Sequence, residues 1–193
     1  KFGFVSLSGR TNVGKSTLLN SFFQKKIAIT SRKPQTTRNR ILGILTEEKS
    51  QIVFLDTPGV HLGYKRQLNK VMNKIATHCY EEVDLVLFLI DRFKWQKEEE
   101  NILKSLKNLN KPVVLVINKI DRLRDKTKLL AFIKDISEKF NFLSIVPISA
   151  LKKDNLMELK SVIFNNLEIG PYHFPEDSLT EFSDNFFISE IIR

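Results

Sequence analysis

The sequence has a single cysteine, Cys79, in 193 residues, and no apolar run approaches the roughly 18 residues of a membrane span. One cysteine excludes a disulfide framework within the chain. We also expect no signal peptide, because the sequence enters an apolar strand pattern directly. These absences predict a cytoplasmic protein without transmembrane segments, in which Cys79 is a small buried hydrophobe.

Acidic residues are in the minority, since 31 lysines and arginines face 22 aspartates and glutamates and the net charge is +9. This excess suits an anionic partner such as RNA, a ribosome or an acidic membrane surface. The alternative is that pairs such as Lys25-Lys26 and Lys152-Lys153 are only solvated. The length suits one α/β domain with a short tail.

Apolar segments rich in β-branched residues predict six strands, at residues 4–7, 41–45, 52–55, 85–90, 113–117 and 143–146. Helical periodicity predicts helices at 17–23, 67–82, 96–108, 126–139 and 155–166, the last capped by Asp154 or Asn155. This alternation predicts a three-layer α/β fold with helices on both faces of a mixed, mainly parallel sheet. Only residues 46–51 join the second and third strands, so these two should pair antiparallel.

A glycine-rich segment between the first strand and the first helix fits the phosphate-binding pattern G-x-x-x-x-G-K-[ST]. Its two fixed glycines let the backbone wrap a chain of phosphates with N–H donors. Lys15 can then reach the β- and γ-phosphates, Ser16 can offer its hydroxyl to Mg²⁺, and Thr17 continues into a helix whose N-terminus faces the phosphates. The predicted phosphate loop, which indicates a nucleoside triphosphate, consists of Gly9, Arg10, Thr11, Asn12, Val13, Gly14, Lys15 and Ser16.

A carboxylate reaches the carboxyl edge of the sheet in the segment Asp56-Thr57-Pro58-Gly59, which ends the third strand. Asp56 can hold Mg²⁺ through a water, while the Gly59 amide can face the γ-phosphate. Alone, this segment would indicate an ordinary turn. Beside a phosphate loop, it indicates part of the same nucleotide site.

Two further polar segments are typical of switches that respond to the γ-phosphate. In residues 30–38, we favour Thr37 over Thr36 as the side chain that completes the Mg²⁺ shell. Residues 60–66 form the second predicted switch.

The segment Asn118-Lys119-Ile120-Asp121 follows the fifth strand at the same edge and predicts the base. The Asp121 carboxylate can accept both N1–H and the amino group of guanine, whereas adenine offers no such pair of donors. Lys119 should lie along the base, and Asn118 should tie this segment to the phosphate loop. After the sixth strand, Ser149-Ala150-Leu151 supplies small residues and a backbone amide suited to the guanine O6.

Together these segments resemble Era-type GTPases, which belong to the translation-factor-related class. The resemblance covers nearly the whole chain, through G-R-x-N-V-G-K-S-T-L-L-N, S-R-K-P-Q-T-T-R, D-T-P-G, N-K-I-D, S-A-L and the linker G-P-Y-x-F-P-E-D ahead of S-E-I-I-R. It implies a P-loop NTPase fold, binding of GTP or GDP with Mg²⁺, and slow hydrolysis of GTP. It also implies a KH domain after the linker that binds the 3′ end of small-subunit (16S-type) ribosomal RNA, with a role in assembly of that subunit.

The resemblance divides the chain into a GTPase domain at 1–167, a linker at 168–185, and the first residues of the RNA-binding domain at 186–193. The natural protein is therefore expected to continue past Arg193. We expect a cytoplasmic monomer, and a peripheral contact with the inner face of the cell membrane stays open.

Val60 stands directly after D-T-P-G, where Ras-like enzymes have a glutamine that orients the attacking water. The resemblance to GTPases with a hydrophobic residue at this position implies that Asn12 helps to hold a K⁺ near the β- and γ-phosphates. Lys15, Thr37 and Gly59 complete the predicted catalytic set. The alternative for Asn12 is a turn former without that role.

Two other functions stay open. One is a GTPase of tRNA modification or of large-subunit assembly, against which the linker sequence argues. The other is a nucleotide-dependent binding module with negligible hydrolysis, which the missing glutamine would suit.

Overall fold

Six β-strands form one sheet in the order β2–β3–β1–β4–β5–β6. This computed structural model describes residues 1–23, 42–47, 50–56, 83–92, 94–123, 125 and 127–171. All neighbouring strands pair in parallel except β2 and β3, which are antiparallel as their short connection predicts. The strands are β1 (Phe2–Ser8), β2 (Leu42–Glu47), β3 (Ser50–Asp56), β4 (Leu85–Asp91), β5 (Val113–Asn118) and β6 (Ser144–Pro147).

Four α-helices lie within the described part of the chain, together with a 3₁₀ turn at Ile120–Arg122. They are α1 (Lys15–Phe23), α2 (Lys97–Lys107), α3 (Thr127–Ser137) and α4 (Leu156–Asn165). Each overlaps a predicted helix, with ends that differ by one or two residues. The predicted helix at 67–82 lies outside the described residues, as do Cys79, both switches and residues 172–193.

Asn155 is the N-cap residue of α4, as the sequence predicts. Its side chain, however, makes no capping hydrogen bond. Instead, its Nδ2 donates to the Pro147 carbonyl oxygen at 2.9 Å, and its φ of 57° is left-handed. This hydrogen bond attaches the start of α4 to the end of β6. Asparagine suits the position because it tolerates a left-handed backbone better than most residues do.

The sheet separates two apolar clusters, which explains why its central strands read as unbroken apolar runs. Along β4, Leu85, Leu87 and Leu89 face one cluster, and Val86, Phe88 and Ile90 face the other. Apolar side chains of α1 and α4 belong to the first cluster, and those of α2 and α3 to the second. Helices on both faces confirm the predicted three-layer fold.

Burial of these strands leaves their carboxyl ends as the place where polar side chains collect. The register pairs Leu7 of β1 with Asp56 of β3, and Asp91 of β4 with Asn118 of β5. Loops that follow parallel strands emerge along one edge of a sheet, so these ends form the expected ligand-binding edge. No helix among the described residues is long and apolar enough to cross a membrane.

Candidate nucleotide-binding site

The phosphate loop lies between β1 and α1, at the middle of the sheet edge. Helix α1 begins at Lys15, two residues earlier than the sequence predicts, so Lys15 and Ser16 belong to its first turn. Buried Leu18, Leu19 and Phe22 hold this helix against the sheet. Because α1 begins at the end of the phosphate loop, the free N–H groups of its first turn and the positive end of its dipole face that loop. This arrangement suits the binding of anions.

Two glycines let the loop pass close to its neighbours. Gly9 and Gly14 have φ values of 144° and 105°, which side chains strongly disfavour. A Cβ at Gly9 would overlap the Leu89 carbonyl oxygen, and one at Gly14 would overlap the Asn118 side-chain nitrogen. The glycine spacing is thus required by the backbone path of the loop itself.

The Lys15 side chain folds back across the phosphate loop. Its Nζ donates to the carbonyl oxygens of Gly9 at 2.9 Å and Arg10 at 3.0 Å. These contacts hold the ammonium group at the mouth of the loop, where a phosphate chain would lie in a P-loop. Asn12, at the exposed tip of the loop, has a left-handed φ of 61°.

Asn118 joins the phosphate loop to the segments that follow β5 and β6, as the sequence predicts. Its Nδ2 donates to the Val13 carbonyl oxygen at 2.8 Å, while its Oδ1 accepts the N–H groups of Lys119 at 2.8 Å and Ala150 at 3.0 Å. The side chain is buried, with 2% exposed. A second link runs from α1, where Ser21 Oγ lies 2.6 Å from the Ala150 carbonyl oxygen that accepts its hydrogen bond.

Lys119 crosses from the same segment to the phosphate loop. It has a left-handed φ of 64°, and its Nζ donates to the Asn12 carbonyl oxygen at 2.5 Å and to Asp91 Oδ2 at 3.0 Å. Burial raises the pKa of the Asp91 carboxyl, but hydrogen bonds and positive charge from Lys119 and Arg92 outweigh burial and hold this pKa below its ordinary value. Asp91 is therefore an ionised partner that fixes the Lys119 ammonium group.

The carboxylate that is predicted to recognise guanine is held from one side. Ser149 is completely buried, and its Oγ donates to Asp121 Oδ1 at 2.5 Å. Asp121 itself is exposed, which leaves it accessible to a base. The Ala150 N–H, by contrast, donates to Asn118, so a guanine O6 would have to compete with that side chain for this amide. The neighbouring Leu151 side chain is 65% exposed.

Two acidic residues at this edge escape the sequence analysis. Besides Asp91, Glu99 in the first turn of α2 is fully buried, and its Oε1 lies 2.7 Å from Arg10 Nε. The Nε–H bond is not aligned for a hydrogen bond, so this contact is a close ion pair. Asp91 could have been found as a polar residue that ends a buried strand, whereas Glu99 stands in an acidic run that is typical of an exposed helix start.

The oxygen donors expected for Mg²⁺ are only partly described. Ser16 lies in the first turn of α1, and Asp56 ends β3 beside β1, but the side chain of Asp56 is outside the description. Thr37, Thr57, Pro58 and Gly59 are outside it as well. A hydroxyl and a carboxylate at one edge suit Mg²⁺, which takes few protein ligands and keeps phosphate and water oxygens. Among the described residues, no group of three histidine, cysteine or acidic side chains can hold a metal.

The chain is similar to known proteins both in sequence and in structure. A family model for "50S ribosome-binding GTPase" matches residues 4–119. GTPase Era of Haemophilus influenzae (strain PittGG) is 50% identical over 191 residues, which are 99% of this chain and 63% of that protein. The chain thus spans less than two thirds of the length of this curated relative.

Two solved structures match the entire chain at 42% sequence identity. One is a variant of Aquifex aeolicus Era bound to GDP·AlF₄⁻, with a TM-score of 0.92, and the other is Era in complex with MgGDPNP and nucleotides 1506–1542 of 16S ribosomal RNA, with a TM-score of 0.93. The chain covers 65% of each. The resemblance to Era-type GTPases is confirmed, and the chain belongs to the family of 50S ribosome-binding GTPases.

Proposed function

We propose that the chain binds GTP and GDP with Mg²⁺ and hydrolyses GTP as a switch. The observation that carries this proposal is Asn118, a buried side chain that hydrogen-bonds both the phosphate loop and the segment after β6. Through these bonds, the loop that would bind the phosphates lies close to the segments that would bind guanine, which include the Asp121 carboxylate. A single nucleotide can then engage both.

Asp121 would recognise the base, and a hydrogen bond from Ser149 orients its carboxylate. Its carboxylate can accept the N1–H and amino hydrogens of guanine, and adenine would leave it without those partners. Lys119, fixed between Asn12 and Asp91, can lie along the plane of the base. Leu151 can cover the base from the segment after β6.

The loop from Gly9 to Ser16, together with Thr17 after it, would bind the phosphates. Loop amides and the start of α1 can donate to phosphate oxygens, while Lys15 can exchange its contacts with Gly9 and Arg10 for the β- and γ-phosphates. Ser16, Asp56 and Thr37 would hold Mg²⁺, which neutralises phosphate charge when it is bound. Gly59 would offer its amide to the γ-phosphate.

Hydrolysis must proceed without a glutamine after D-T-P-G, because Val60 occupies that position. We propose that Asn12 helps to hold K⁺ beside the phosphates. Its exposed position at the tip of the loop supports this role, since the side chain lies where a cation and solvent can reach it. The left-handed backbone alone would also suit a turn former.

The output of the switch is proposed to be small-subunit ribosomal RNA. Support comes from the Era complex with 16S ribosomal RNA, which matches the entire chain, and from the net charge of +9. The description "50S ribosome-binding GTPase" belongs to a match over residues 4–119, which lies within the proposed GTPase domain and therefore carries less weight for the partner. Large-subunit assembly or tRNA modification is the alternative.

We propose the domain organisation that the sequence resemblance implies. A GTPase domain would occupy residues 1–167, a linker would follow at 168–185, and residues 186–193 would begin a KH-type RNA-binding domain. We propose a cytoplasmic monomer, for which peripheral contact with the inner face of the cell membrane stays an open alternative.

Single-turnover release of phosphate tests the proposal. The chain is mixed with Mg²⁺ and either GTP or ATP, in K⁺ or Na⁺ at matched ionic strength. We expect release from GTP only, slowly, and faster in K⁺. Binding of GTP without any release would favour the binding-module alternative, and equal rates in the two salts would remove the role of Asn12.

A further inference from the structure

The structure couples helix α2 to the phosphate loop through a buried charge. Glu99 is completely buried, and Arg10 of the loop reaches it with 17% of its own side chain exposed. Arg10 Nη1 also lies 3.5 Å from Gln96 Oε1, at the start of α2. The second residue of the phosphate loop is therefore turned toward α2 rather than toward the loop interior.

The carboxylate of Glu99 is itself held in place. Its Oε2 accepts the Gln96 N–H at 2.9 Å, which completes a capping box at the first turn of α2. Buried Ile102, Leu103 and Leu106 fix that helix against the sheet. Glu99 thus presents its charge to Arg10 from a rigid support.

The coupling extends to Lys15 through the backbone. The carbonyl oxygens of Arg10 and of the neighbouring Gly9 both accept hydrogen bonds from the Lys15 ammonium group. The position of the Arg10 backbone therefore contributes to the position of Lys15. A displaced Arg10 would move the acceptors that hold this lysine at the mouth of the loop.

We propose that Glu99 is a positioning residue of the nucleotide site, which acts through Arg10 on the phosphate loop. This inference rests on the proposed binding of guanine nucleotides. Arg10 serves as an anchor that is held away from the phosphates. Because Lys15 would reach the β-phosphate, which GDP and GTP share, loss of the anchor should weaken the binding of GDP.

The test is a double-mutant cycle on GDP affinity, measured by calorimetry with Mg²⁺, alongside unfolding in urea. Its variants are Glu99→Gln, Arg10→Met and the double variant, with Glu100→Gln as the control because Glu100 is exposed on the same turn. Glutamine keeps an acceptor for the Gln96 N–H. The double variant leaves no unpaired buried charge, so it folds even where a single variant does not.

We expect each single change to weaken GDP binding by between about 2-fold and about 30-fold, and the double variant to bind GDP about as weakly as the worse single one. Glu100→Gln should bind as the natural chain does. Unchanged GDP affinity in Glu99→Gln or in the double variant would mean a purely structural role. Tighter binding by Glu99→Gln would mean that a released Arg10 contacts phosphate, and either result overturns the inference.

The same titration separates this inference from the proposed function. If the natural chain binds no GDP, the proposed function fails and this inference fails with it. If the natural chain binds GDP and every variant binds it equally well, only the positioning role of Glu99 is lost.

Discussion

The proposed nucleotide site has a phosphate half, residues 9–16, and a guanine half, the segments that follow β5 and β6, and the two are held by different means. The phosphate loop owes its shape to backbone, because Gly9 and Gly14 admit contacts that a Cβ would block. The guanine half owes its shape to side chains, because Asn118 and Ser149 fix their neighbours through buried hydrogen bonds. A short motif can therefore reveal the first half, whereas the second becomes recognisable only through its place at the sheet edge.

The sharpest way to test the guanine half is Asp121→Asn. Xanthine presents an acceptor where guanine has an amino group, so the amide should favour xanthosine triphosphate over GTP. The natural preference, about 10⁴- to 10⁵-fold in a site of this kind, should collapse or reverse. Competition binding of the two nucleotides measures this preference, and Asp135→Asn is the control because Asp135 is an exposed residue of α3. An unchanged base preference would break the role of Asp121.

The phosphate half has its largest side-chain effect at Lys15. Lys15→Ala removes the cation at the mouth of the loop, and single-turnover hydrolysis of GTP should fall by about 10²- to 10³-fold. Base preference should stay the same, because Asp121 is untouched. The exposed Lys139→Ala serves as the control. A change in base preference with intact hydrolysis would contradict the division into two halves.

The link between the halves should respond in both. Asn118→Ala removes three hydrogen bonds, two of them buried, and should lower the free energy of unfolding by about 2–4 kcal/mol. GDP binding should weaken, and discrimination against ADP should weaken with it. Urea unfolding and calorimetry measure these effects, against the exposed Asn101→Ala. Loss of stability with normal nucleotide discrimination would show that the two halves are independent.

Acid should weaken the contact between Asp91 and Lys119. The folded pKa of Asp91 lies below its unfolded value of about 3.9, so this carboxylate stabilises the fold above that pH and loses its contribution as pH falls through the folded pKa. Asp91→Asn should cost about 1.5–3 kcal/mol of unfolding free energy at pH 7, and less below about pH 4. Urea unfolding across this range measures the difference. A gap that widens in acid would contradict the pairing.

The smallest effect should come from an ion pair away from both halves. Lys160 Nζ lies 2.5 Å from Glu47 Oε1, and the Glu47 side chain is 44% exposed. Lys160→Gln should cost less than about 1 kcal/mol of unfolding free energy and leave GDP affinity unchanged. Chemical denaturation and the same GDP titration check this. A large loss of affinity would mean that the sheet edge at β2 also controls the site.

The backbone framework was predictable because it depends on local patterns. The six residues between the second and third predicted strands leave no room for a crossover, so the antiparallel pairing followed from the sequence, and so did the place of Asn118 at the end of β5. The ends of helices were less predictable, since capping depends on contacts such as that of Asn155 with Pro147.

The missed residues show what a sequence conceals. Glu99 stands in the run Glu98-Glu99-Glu100, which looks like a solvated helix start, and Arg10, its partner, is far away along the chain. Only the packing of α2 beside the phosphate loop buries one of the three carboxylates. Likewise, the contact of Ala150 with Asn118 depends on how the loops of β5 and β6 meet.

Binding of GDP and ADP to the natural chain, measured by calorimetry in the same Mg²⁺ buffer, tests the central claim most directly. Because Asp121 and the phosphate loop form one site joined through Asn118, GDP should bind once per chain and at least about 10⁴-fold more tightly than ADP. An affinity for ADP within about 10-fold of that for GDP would contradict the account, since the phosphate loop would then act without the guanine half.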